Sequence, residues 1–200
     1  MLIDFEAVFK KEKSLLDLAN EYSQADLGDA LNSYVDLTLH IMRGLSDEQT
    51  VYIPVDPEAD DPYAATEADR HMGWSLIHLV LHVTATAEEA AAFSSILARG
   101  IPIGGRLRSE RNWREVTTCA EAVARLEECR RMCLAYLATW PDRPDLSTVR
   151  IMPENLNWMK PNAPISFLAG LMHWHKHIEQ FRQVAEQARA CNVDAVCYMG

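Results

Sequence analysis

Five of the seven histidines in this 200-residue chain fall in two short stretches, His78 with His82 and His173 with His175 and His177. Successive helix residues turn by about 100°, so positions i and i+4 lie only about 40° apart. His173 and His177 therefore point the same way, while His175 sits about 200° round from His173 and faces solvent. Two imidazoles on one helix face can bind a divalent transition metal when a third ligand arrives from a facing helix, as in the metal sites of bundle cores. His82 or His78 supplies that third nitrogen. The alternative is a set of core histidines satisfied by hydrogen bonds, but several imidazoles converging in one interior are costly to bury without a metal or other partners. Glu89 stands two turns beyond His82 on nearly the same face, about 10.5 Å along the axis, as a candidate partner of a ligand or general base. The five cysteines (Cys119, Cys129, Cys133, Cys191, Cys197) all lie outside the two histidine segments. Any thiol chemistry therefore relies on an external thiol.

The elements that must position these side chains follow from apolar periodicity. Residues 4–22 place Phe5, Val8, Phe9, Leu15, Leu16 and Leu18 at near-helical spacing, and 26–45 carry a stripe from Leu27 through Leu31, Tyr34, Val35, Thr38, Ile41 and Met42 to Leu45. The segment 72–98 is rich in alanine and free of proline and holds Trp74, His78, His82 and Glu89. A capping box at Thr118 and Glu121 opens a helix over 118–140, in which Cys129 and Cys133 share a face. Pro164 suits the first turn of the last helix, 164–190, whose stripe reads Phe167, Gly170, His173, Trp174, His177, Phe181 and Val184. His173 and His177 thus occupy its core side. Between the helices run an acidic, proline-broken crossover (46–71), a loop with Arg99, Arg106, Arg108, Arg111 and Arg114 (99–116), and a second long connection (141–163) with an aromatic and polar lip around Trp158. Val51-Tyr52-Ile53 is too short to found a sheet, and the class is all-α.

Composition narrows the function. Nineteen basic against 29 acidic residues give a formal charge of −10, which repels phosphate backbones and anionic lipid, so nucleic acid is not an expected partner. Both charged connections read as solvated loops, the arginines being able to grip substrate carboxylates if they reach a site mouth. The odd cysteine count in no repeating pattern suits a reducing compartment. Charge arrives within four residues of the N-terminus, and no uncharged apolar run reaches about 18 residues. A cytoplasmic protein with no membrane span is the expectation, folded as one domain over 1–200.

Three segments carry a resemblance to a known family. Trp74-Ser-Leu-Ile-His-Leu-Val-Leu-His82 resembles the Trp-x7-His signature of the DinB-like (DinB/YfiT) four-helix-bundle superfamily, and His173-Trp-His-Lys-His177-Ile-Glu-Gln180 its final H-x-x-x-H-x-x-Q. Gly44-Leu45-Ser46-Asp47-Glu48-Gln49 resembles the segment that closes the family's first bundle helix. The likeness covers roughly residues 26–190, leaving a helix at 4–22 and a tail at 191–200 as additions. It implies a four-helix bundle with long crossovers that binds a divalent metal, zinc or nickel, through His82, His173 and His177. His78, Glu89 and Gln180 stand as candidate partners of those ligands. Where the family often has Arg-Gly after its last ligand histidine, this chain has Ile178-Glu179. Characterised members include transferases and isomerases that use low-molecular-weight thiols. The implied function is a metal-dependent S-transferase or hydrolase acting on a small molecule, with a noncatalytic metal-binding or stress-response bundle as the alternative. Such proteins frequently pair through bundle helices. Apolar residues in 4–22 and 195–199 also suit a partner copy, so a homodimer is expected, an intramolecular cap by the same residues being the alternative.

Overall fold

Serine, threonine and asparagine caps set where every helix after the first begins. The computed structural model describes residues 1–61, 64, 66–154 and 160–191. The lip expected around Trp158 and the tail beyond Cys191 lie outside them. In chain order the helices are α1 (Glu6–Phe9), α2 (Leu15–Ala19), α3 (Gln24–Met42), α4 (Asp47–Val51), α5 (Glu67–Arg70), α6 (Leu76–Ala98), α7 (Cys119–Ala138) and α8 (Ala163–Ala190), with a 3-10 turn at Trp113–Glu115. Among the described residues there is no strand, only an isolated bridge between Gly104 and Ile151. Four long helices, α3, α6, α7 and α8, make the all-α bundle.

Reciprocal capping boxes hold the starts of α3 (Ser23 with Asp26) and α7 (Thr118 with Glu121), each satisfying backbone N–H groups that the first turn leaves open. Asn162 caps α8 by accepting from the Ile165 N–H, with Pro164 in the first turn. Helix α6 begins at 76 rather than 72, because the extended Ser75 turns its hydroxyl to the His78 N–H. Trp74 is thereby left outside the helix. Gly73 just before it lies so close to Pro54 that an added Cβ would stand 2.3 Å from that carbonyl oxygen.

Helix α6 is buried on nearly every side, from Leu76 to Ala98, and packs between α7 and α8. Its approach to α8 is tight at Gly170, where a Cβ would meet the Ala90 Cβ at 2.7 Å. That small pair draws the two histidine-bearing helices together one turn before His173.

Two expectations change. The single helix over 4–22 is two short ones, α1 and α2. Lys11 takes a left-handed backbone (φ 61°), and Ser14 opens α2 with its own capping box to Asp17. The run Lys10 to Lys13 offers no apolar face to carry a helix across. Ile3, Phe5, Leu18 and Ala19 are buried within the chain's own core, so this part of the segment is an intramolecular cap. The crossover after α3 is likewise not structureless. It contains α4 and α5, and Gln49 both caps α4 and donates from Nε2 to the Ala188 carbonyl at 3.2 Å, tying the crossover to the end of α8.

Candidate metal centre

His82 comes from the second turn of α6, His173 and His177 from adjacent turns of α8. Their ring centroids form a near-equilateral triangle of 4.8, 5.1 and 4.8 Å. One nitrogen from each ring falls within 4.8 Å of the others, and the Nε2 atoms of His82 and His173 are 2.9 Å apart. This is the one His, Cys, Asp and Glu group among the described residues that could hold a metal ion.

Burial pushes the His173 imidazole down to about 3, helped by its imidazole neighbours, and lowers His177 as well. Both are neutral at pH 7 and offer lone pairs, as metal ligation requires. His177 Nδ1 donates to Gln180 Oε1 at 2.8 Å, which turns Nε2 toward the cluster. The glutamine of the sequence motif therefore orients a histidine of the triangle.

The other two candidates are placed differently. His78 stands outside the triangle, stacked between Trp74 at 4.4 Å and Trp113 at 5.2 Å, and burial pushes its imidazole down to about 4. Trp74 also lies against His82 and His177, at 4.6 and 5.9 Å, so one indole walls the centre and holds His78 off it. The Glu89 carboxylate accepts the backbone N–H groups of Leu107 and Arg108, at 2.7 and 2.9 Å. It anchors the arginine loop instead of a ligand.

That loop reaches the centre. Arg108 Nη2 lies 2.8 Å from His82 Nδ1 and bonds Glu110, whose other oxygen is 3.7 Å from the same nitrogen. Arg108 Nε is buried without a hydrogen-bond partner. Further along, Arg114 pairs with Asp69 at 2.7 Å and Arg150 donates to the Gly105 carbonyl at 2.7 Å, fixing the loop at both ends. The acidic crossover also comes to the site. A cavity of about 160 Å³ is lined by Trp74, His177 and Gln180 on one side and by Asp56, Glu58, Asp60 and Asp61 on the other. Both charged connections read as solvated loops in the sequence, yet the arginine loop contacts His82 and the acidic crossover lines the cavity beside His177. Arg108, Glu110 and Trp113 carry no periodic signal that could have singled them out.

His175 corrects the sequence reading. It is half-buried rather than solvent-facing, with Nδ1 2.9 Å from the Tyr34 hydroxyl and its ring 5.4 Å from Phe5 and 5.9 Å from Phe9.

A sequence model of the DinB superfamily matches residues 31–181. The chain belongs to the DinB superfamily. No curated protein and no solved structure matches it significantly. The match spans α3 to α8 and so includes all three histidines of the triangle, while the α1–α2 cap lies outside it. No described helix of this DinB-superfamily chain is long and apolar enough to cross a membrane.

Proposed function

We propose that His82, His173 and His177 hold one divalent transition metal, zinc or nickel, and that the protein is a metal-dependent enzyme acting on a small molecule admitted beside His177. The observation that carries this reading is the triangle itself: three half-buried imidazoles, two of them held neutral by burial, with nitrogens turned to one point next to an open cavity. The donor set fits such an ion, because three imidazoles satisfy a zinc-like centre while leaving positions for water or substrate. When bound, the ion supplies a lowered pKa for coordinated water or thiol and polarises an electrophile.

The chain's own residues do the rest. Gln180 sets the ring of His177, Trp74 gives the centre an apolar wall, and Gly170 keeps α8 against α6 so that the three rings meet. No described cysteine lines the cavity, and Cys129 and Cys133 are buried between helices with their sulfurs 3.8 Å apart. A reacting thiol would therefore be a separate small molecule. Together with the family resemblance, this favours transfer to or from a low-molecular-weight thiol, with hydrolysis by activated water as the second reaction of the same centre.

The test is elemental analysis of the untagged protein, followed by assays with zinc or nickel, several small thiols and electrophilic or ester substrates. One metal per chain, and turnover lost on chelation while the fold is kept, is the expected result. Metal loss that unfolds the chain, with no turnover under any condition, would instead make the centre structural.

A further inference from the structure

The hydrogen bonds around His82 conflict with its ligating a metal through Nε2. A guanidinium only donates, so the 2.8 Å contact from Arg108 Nη2 requires a lone pair on His82 Nδ1. The neutral ring then carries its proton on Nε2, where it donates to His173 Nε2 at 2.9 Å. That proton points into the centre, at the place where a ligating lone pair is needed. The arrangement at His177 is the opposite, since its Nδ1–H donates to Gln180 and its Nε2 is free. Two rings of the triangle thus present lone pairs and the third presents a proton.

Resting on the metal-centre reading above, we infer that Arg108 and Glu110 form a two-position switch on His82, with Arg108 holding the tautomer that cannot ligate and Glu110 accepting Nδ1–H in the tautomer that can. The exchange is balanced. One proton leaves Nε2, one is gained at Nδ1, and the ring stays neutral throughout. Glu110 Oε1 is already 3.7 Å from Nδ1 and needs a shift of under about 1 Å to accept from it. Its other oxygen keeps Arg108, so the guanidinium can leave His82 without losing its carboxylate partner. Glu89 completes the device by fixing the backbone at 107 and 108, which makes the move one of side chains rather than of the loop. Arg108 is a competitor of the metal, and Glu110 is the positioning residue for the ligand.

The two residues are predicted to act with opposite sign, which a merely structural role for both would not give. Zn²⁺ affinity is measured by competition with a chromophoric chelator at fixed pH for the wild type, Arg108→Met, Glu110→Gln, Glu110→Ala and the Arg108→Met/Glu110→Ala double variant. Arg108→Met should bind Zn²⁺ about tenfold more tightly, and Glu110→Ala about 10–100-fold more weakly, the range expected when a ligand loses its hydrogen-bond partner. Glu110→Gln, which keeps an acceptor oxygen, should fall between wild type and alanine. Glu110→Ala should remain costly in the Arg108→Met background, because Glu110 acts on His82 directly. Nitrogen NMR of the wild-type imidazoles needs no variant. It should find the His82 proton on Nε2 without metal and on Nδ1 with Zn²⁺. An Arg108→Met protein that binds no more tightly than wild type, or a metal-free His82 already protonated on Nδ1, overturns the switch alone. A wild type that binds no Zn²⁺ through these histidines overturns the centre and the switch together.

Discussion

Helix α8 carries half-buried histidines on two faces, and the faces differ in what meets them. His173 and His177 look toward α6 and find a third imidazole, whereas His175, between them in sequence, looks toward α3 and the N-terminal cap and finds a phenol and two aromatic rings. The Tyr34 hydroxyl gives His175 a neutral partner of the ordinary kind, so that imidazole is satisfied as a packing residue. Around His173 the neighbours are imidazoles whose charged forms repel one another. One residue type on one helix thus yields a structural contact on one face and, on the more deeply buried face, a set of inward lone pairs. Deeper burial and the presence of a histidine from a second bundle helix together separate the two.

The most direct way to break this contrast is substitution on each face. Replacing both His173 and His177 by Ala should abolish stoichiometric metal binding in the purified protein, while His175→Ala should keep one equivalent. A double variant with full metal content would place the site elsewhere.

A smaller effect is expected where the two helices touch. Gly170→Ala places a Cβ where 2.7 Å separates it from Ala90, so α6 and α8 must part. Overpacking of this kind costs about 1–3 kcal/mol, visible in urea unfolding, and should weaken metal binding by spreading the triangle. The same change at Gly28, whose nearest neighbour would be the Leu134 side chain at 3.4 Å, should do neither.

The pH response sharpens the contrast further. His173 and His78 are pushed down to about 3 and about 4, against about 6.5 in the unfolded chain. Between those values the unfolded state binds more protons, so stability of the metal-free protein rises with pH in this window. It is fully present above about pH 6.5 and is lost progressively as pH falls toward 3. Thermal melts at pH 7 and pH 4.5 should show the drop. Proton NMR should show the His173 and His78 ring signals unmoved between pH 8 and 5.

Smallest is the change on the structural face. Tyr34→Phe removes the hydroxyl that meets His175 and should cost about 1 kcal/mol of stability with metal content unaltered. A loss of metal from this variant would mean that the two faces communicate through α8.

Several of these features were legible in the chain before folding. The four long helices and the direction of His173 and His177 depend only on spacing along one element, and Ser, Thr and Asn caps mark where the elements start. Gly170 stood on the stripe, but its role as the point of closest approach needed Ala90 opposite it. The break near Lys11 was less legible, because apolar residues on either side of a charged run keep helical spacing whether or not the run is helical.

What the sequence determined by itself is therefore local: helix periodicity, caps, and the shared face of an i, i+4 histidine pair. Tertiary structure decided that His82 and not His78 joins the triangle, because Ser75 starts α6 late enough to leave Trp74 free as a stacking wall for His78. It also decided that Arg108 and Glu110 reach His82, 26 residues from the arginine, and that Tyr34 meets His175 across 141 residues. Side chains in aperiodic loops and on distant helices have no spacing rule to link them. Their meetings are fixed only when the packed core closes and brings their backbones to hydrogen-bonding distance.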